Sequence, residues 1–374
     1  MIGQTLALLH DGYRELNSKR MFWIVLVLSG LVVLAFACVG VKDQKLTFLW
    51  YETAIPALFD KAEMYKVMFS AFGISIWLGL AASVLALIST ASIFPDFISG
   101  GSIDLYLSKP IGRLRLFLVK YLTGLLFVAL QVFVFSALSY LVIGIRGDAW
   151  EPRIFLAVPL VVCFFSYLYA VCVLIGVVTR STLASVLITV LFWFFLFCLD
   201  RGELALLLFT NSARREASTV ERRIDFLDKR LDYFDRQTPE VRERSQNVID
   251  SFRQQRQELV KQRDSKALRN LTIAHQLTYG LKTALPKTRE TTEFMNRSLL
   301  SPRTREAGGP EEPEDGAQPL DARSTSWADV KPADVQQLAK NMNNRTAAWA
   351  VGTSLAFEAV VLLLAAWIFC RRDF

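Results

Sequence analysis

Six runs of apolar residues decide most of what this chain can fold into: 21–41, 67–94, 116–145, 154–178, 183–199 and 347–370. Each is close to or longer than the roughly 20 residues an apolar helix needs to cross a bilayer, and together they hold almost no charge. Hydrocarbon offers the backbone no water to bond, so such runs must close their own hydrogen bonds as helices. Composition agrees, with 53% hydrophobic residues and a mean hydropathy of +0.33, against about 45 to 50% apolar residues in soluble domains. The net charge is +7, and most of the charged residues lie between 201 and 345. Cationic loops at a membrane surface give that total as readily as a nucleic-acid binder does, so no nucleic-acid partner is inferred. The expected fold class is an all-α membrane protein with six transmembrane helices.

Ahead of the first run, Leu6, Leu9, Tyr13 and Leu16 recur at helical spacing among His10, Asp11, Arg14 and Glu15. Residues 1–20 are therefore expected to form an amphipathic interfacial helix. The run 21–41 lacks an A-x-A cleavage site and reads as a retained span. Six spans put both termini on one side. Ten Lys and Arg residues flank the spans there against six opposite, the large fifth loop aside. The bias predicts cytosolic termini, a cytosolic loop at 95–114 and an extracytoplasmic region at 200–346. The organisation expected is thus 1–20, the spans 21–199, the insertion 200–346, and a last span with its tail at 347–374. Residues 42–66 read as a mixed loop whose Trp50 and Tyr51 suit the headgroup layer. The five cysteines lie in or beside apolar runs as small hydrophobes. His10 and His275 are too few for a metal site or a catalytic triad.

The insertion has its own pattern. Val220, Ile224, Leu227, Leu231 and Phe234 repeat at 4,3,4,3 spacing, the seam of a coiled coil. Thr238 and Pro239 break it, and Val241, Val248, Phe252 and Leu259 mark a sparser second seam. An extracytoplasmic α-helical coiled-coil hairpin is expected, about 40 Å long at 1.5 Å per residue. It is either a solvated spacer or a docking arm for an extracytoplasmic protein or a second copy of the chain. Residues 268–285 suggest a surface or re-entrant helix ended by Pro286. The stretch 301–325, rich in Pro, Gly and Glu, reads as a flexible linker, followed by a short helix around 332–341.

Between the second and third runs the chain turns polar. It carries Asp96, Gly100, Gly101, Asp104 within an apolar stretch, Leu107 to Pro110 as L-S-K-P, then Arg113 and Lys120. The order acid, glycine, short apolar helix, L-x-x-P-x-x-R and a later basic residue resembles the cytosolic loop between spans two and three of type-2 permeases of ATP-binding-cassette (ABC) transporters. Leu107, Pro110, Arg113 and Lys120 occupy the matching places, while Val119 stands where that family often has glycine. The ending F-x-R-R-D-F resembles those permeases too, and the resemblance covers nearly all of the membrane part but not 201–346.

The resemblance implies a short coupling helix over about 102–107. Ile103, Leu105, Tyr106 and Leu107 would be its apolar contacts, with Asp96, Asp104, Lys109 and Arg113 around it and Pro110 stopping it. An ABC ATPase subunit, in two copies, would dock there against two copies of this chain. A plain basic loop touching lipid headgroups is the alternative. No G-x-x-x-x-G-K-[ST] loop occurs, and Ser99-Gly100-Gly101 lacks the flanking residues of the ABC signature. The chain is therefore expected to be non-catalytic and to hold no cofactor, with ATP and Mg on the partner subunit. The implied function is the permease of an ATP-driven exporter in a bacterial or archaeal plasma (inner) membrane. Mechanotransmission to an extracytoplasmic partner without transport, or a membrane scaffold, are the alternatives.

Two polar residues inside the runs need partners. Glu358 lies midway between Trp349 and Trp367, near the expected bilayer centre, where a carboxylate costs at least about 2.5 kcal/mol. It is expected either to hydrogen-bond a neighbouring span or to face a polar pathway. Gln131 is expected to make an interhelical hydrogen bond.

Overall fold

A computed structural model of the protein describes residues 14, 20–42, 45–48, 51–56, 61–99, 112–263, 267–291, 294 and 347–372. The expected surface helix at 1–20, most of the coupling loop, the linker at 301–325 and the helix around 332–341 fall outside or almost wholly outside them. The described chain is predominantly helical. Six helical segments are long and apolar enough to cross a membrane: Arg20–Cys38, Lys61–Ile98, Arg113–Arg146, Pro152–Thr179, Thr182–Thr210 and Trp349–Arg371. They are compatible with a multi-pass membrane protein.

In chain order the elements are α1 (Arg20–Cys38), β1 (Val39–Lys42), β2 (Lys45–Phe48), β3 (Tyr51–Pro56), α2 (Lys61–Met68), a π-helix (Phe69–Ala82), α3 (Ser83–Ala91) and α4 (Ile93–Ser99). Then come α5 (Arg113–Arg146), a 3₁₀ turn (Pro152–Leu156), α6 (Ala157–Thr179), α7 (Thr182–Asp235), α8 (Pro239–Arg244), α9 (Gln246–Arg263), α10 (Ala267–Ala284) and α11 (Ala347–Arg371). The chain divides into two compact units. One is Met1–Phe197 with Ala284–Glu311 and Thr346–Phe374, and the other is Cys198–Thr283 with Glu312–Arg345.

Within the first unit α6 is the central rod, packed against both α5 and α11. In the segment Pro152–Thr179, 67% of the most apolar window is buried, against 17% for Thr182–Thr210, so the fourth span is core and the fifth is periphery. Gly124 on α5 lets the two rods close up, because a Cβ there would lie 2.6 Å from Cζ of Tyr169. Four rings, Phe94 and Phe97 of α4, Phe117 of α5 and Phe369 of α11, meet with centroids 5.1 to 6.5 Å apart. They fasten both flanks of the 100–111 stretch to the end of the last span. Between α6 and α7 the chain reverses at Arg180, whose φ of 56° is left-handed and whose N–H closes onto the Gly176 carbonyl at 2.9 Å.

Two features were not legible as such. The stretch read as a mixed loop forms an antiparallel sheet in the order β1-β2-β3, with Val39 opposite Phe48, Phe48 opposite Tyr51 and a bulge between Lys45 and Thr47. Its strands are rich in Val, Thr, Phe, Tyr and Ile, which favour a pleated surface. The Tyr65 hydroxyl donates to the Val39 carbonyl and ties the sheet to the base of span two. The second feature is the π-helix in span two, 14 residues long where such helices ordinarily last a single turn. Its wide winding shows in the side chains. Ser75 and Ser83 donate their hydroxyls to carbonyls five residues back, Ser70 at 3.1 Å and Leu78 at 2.6 Å.

In the second unit, Val220, Ile224 and Leu227 of α7 are buried along the expected face, with Leu231 and Phe234 half-buried. Phe234 meets Phe252 of α9 at 6.4 Å, and Arg256 of α9 bonds Asp228 of α7. On α9, Val248 of the expected second seam is 45% exposed while its neighbour Ile249 is 3% exposed. Ile249, Phe252, Arg256 and Leu259 follow one another at 3,4,3 spacing. The side chain of Val241 lies outside the described residues.

Candidate functional site

Of the residues assigned to the coupling loop, Ile103, Asp104, Leu105, Tyr106, Leu107, Lys109 and Pro110 lie outside the described residues. Its flanks are described. Asp96 is exposed on α4. Arg113 is the first residue of α5, and its Nη1 donates to the carbonyls of Cys370 at 3.2 Å and Arg372 at 3.1 Å. The last carbonyls of a helix have no partner within it and carry the negative end of its dipole, so a guanidinium is well matched to them. The same device recurs one step on. Nη1 of Arg372 donates to the carbonyls of Val177 at 2.6 Å and Val178 at 3.0 Å, at the end of α6. Arg371 stacks on Trp367 at 4.6 Å. Two arginines thus link the start of span three to the end of span six, and the end of span six to the end of span four. Nearby, the buried Lys120 ammonium sits 5.2 Å from the centroid of the Phe97 ring.

Deeper in the same unit, Glu358 of α11 is buried and accepts two hydroxyls from two other spans. Tyr121 of α5 donates at 2.8 Å and Ser166 of α6 at 2.7 Å. The Tyr121 ring stacks on Tyr169 at 5.2 Å and 13°. A carboxylate taken from water is tolerable where O–H donors replace its hydration. The geometry makes Glu358 the knot of spans three, four and six. Gln131 of α5 is also buried, but its Nε2 has no hydrogen-bond partner among the described residues. The interhelical hydrogen bond expected of it is not made by that nitrogen.

Sequence reasoning passed over two buried lysines. In the second unit, Nζ of Lys282 lies 2.6 Å from Asp200 Oδ1 and 2.7 Å from Glu203 Oε2, with all three residues buried. The signal was available: Asp200 and Glu203 stand three apart at the end of an apolar run, and Lys282 interrupts the apolar face of α10. In the first unit, Nζ of Lys287 donates to Thr353 Oγ1 at 2.6 Å and lies 4.1 Å above the Trp349 ring. The Lys287 backbone N–H donates to Ser354 Oγ at 2.9 Å. Both pin the beginning of α11.

Comparison with family models, with curated proteins and with solved structures finds no match. Function therefore has to be read from the residues themselves.

Proposed function

We propose that this chain is the membrane-spanning permease subunit of an ABC-type exporter, non-catalytic itself and driven by a separate ATPase that docks on the 95–114 loop. The arginine relay carries this reading. A push on the loop reaches Arg113 at the head of α5, and Arg113 grips the last carbonyls of α11. Arg372 passes the displacement to α6. The bonds that cap the ends of α11 and α6 thereby also join three span ends to the flank of the loop. The reading takes the loop and both termini as cytosolic, the membrane as a bacterial or archaeal plasma membrane, and the assembly as two copies of this chain with two ATPase subunits. The region after span five, with its paired helices, serves as an extracytoplasmic coiled-coil arm.

A second reading rests on one observation. The fifth apolar run and the polar seam after it belong to a single helix of 54 residues, Thr182–Asp235. An apolar run continued directly by a polar helix suits mechanotransmission to an extracytoplasmic partner. Purification of the chain from its native membrane tests the leading reading. A P-loop ATPase should copurify, and it should be lost when residues 102–107 are replaced by a Gly-Ser linker. Labelling of a cysteine placed at Lys109 by an impermeant reagent outside intact cells would put the loop beyond the reach of any motor and end both readings.

A further inference from the structure

Spans one to four leave a small cleft between them, lined by Val25 and Ser29 of α1, Leu78 and Ala82 of the π-helix, Ser83 of α3, and Gln131 of α5 among others. Its room is about that of one water molecule. Three of the ten residues that line it carry polar side chains. Ser29 Oγ accepts the indole N–H of Trp77 at 3.1 Å and keeps a lone pair to spare. Ser83 Oγ donates to the Leu78 carbonyl and can accept another bond. Gln131 brings an amide whose nitrogen is without a partner among the described residues, and by turning about its last bond it can present either its NH2 or its oxygen. An unpaired amide inside a bilayer protein is costly, and a water with two to four polar neighbours relieves that cost.

We propose that this cleft is a water-binding site, in which one ordered water bonds the Gln131 amide and the hydroxyl oxygens of Ser29 and Ser83. The π-helix forms one wall of the site. Wide turns of this kind recur at functional sites. Ser83, which closes that helix, and Leu78, whose carbonyl it holds, both line the cleft.

The test is radiolytic footprinting of the full-length protein in lipid nanodiscs, where hydroxyl radicals form from water in place and mark the side chains beside it. Trp77 and Leu78 should be labelled, and Gln131→Leu should lower that labelling severalfold while Trp150, exposed elsewhere, keeps its rate. The melting temperature provides a second arm. Gln131→Leu removes an unpaired amide if the cleft is dry and the protein then melts higher. It abolishes a bonded one if water is present, and the protein then melts lower by about 2 to 4 °C. Trp77 labelling unchanged in Gln131→Leu, or a melting temperature that rises or stays constant, would overturn the proposal.

Discussion

Arg372 shows how much one side chain can do at the end of a helix. Both of its described bonds go to carbonyls that α6 cannot satisfy for itself, and hydrogen bonds from a charged donor contribute about 1.5 to 3 kcal/mol each before solvent screening. The group is half-exposed, so the lower end applies. Arg372→Ala is expected to cost about 1 to 2 kcal/mol, read as a fall in denaturation midpoint in bicelles. Glu358 supports a finer experiment. Glu358→Gln keeps an oxygen for Tyr121 or Ser166, whereas Glu358→Ala leaves Tyr121 only the Ser166 carbonyl at 3.3 Å and Ser166 only the Cys163 carbonyl at 2.8 Å. Hydrogen bonds between membrane helices average about 0.6 kcal/mol with maxima near 1.7, so the alanine variant should lose about 1 to 3 kcal/mol and the glutamine variant less than half of that. Equal losses in the same unfolding assay would show that the two hydroxyls do not depend on this carboxyl. Glu358 was visible in the sequence as an acid in an apolar run, but its partners were not. Tyr121 and Ser166 sit in other spans at unrelated positions, and only packing selects them.

At the scale of elements, periodicity told most where burial is one-sided. The 4,3,4,3 run of α7 named Val220, Ile224 and Leu227, all buried. On α9 periodicity named Val248, whereas its neighbour Ile249 is the buried one of the two. Under the proposed pairing of α7 with α9, Ile249→Asp is expected to abolish it while Val248→Asp leaves it intact. Thermal melts of the protein followed by a fluorophore pair on the two helices separate these outcomes. The Arg256 ion pair adds little to that melt's pH dependence. The hydrogen bond and charge of Asp228 raise the Arg256 guanidinium above its ordinary value. A raised pKa gives a contribution fully present below the unfolded value and lost only as pH climbs through the folded one, far above neutrality. The β-sheet and the π-helix were missed for a different reason. Three short strands carry too few residues for a period to register, and a π-helix in an all-apolar span has no polar face against which the wider turn could be noticed.

For the molecule as a whole, six apolar runs were legible because the bilayer sets a length that soluble folds do not impose. Which run lies at the centre was not. Runs four and five are equally greasy, with the same mean hydropathy of 2.5, yet one is core and the other periphery. Leu183, Leu187 and Leu191 line up on the outer face of the fifth, each more than 60% exposed within a single copy. Lipid tails cover such a face as readily as protein does, so exposure alone does not choose a neighbour. The proposed exporter does choose, because its two ATPases need two copies of this chain. Mass measurement of the complex in native nanodiscs is expected to give two copies, and a single copy would leave the paired-motor scheme without a basis.

The reversal at Arg180 places a limit on how such a machine can move. Two residues, Arg180 and Ser181, join α6 to α7, and the first of them is left-handed, where a side chain forfeits about 1 to 2 kcal/mol of backbone comfort that glycine would keep. Spans four and five are consequently tethered at that end, where neither can slide past the other by more than the two linking residues allow.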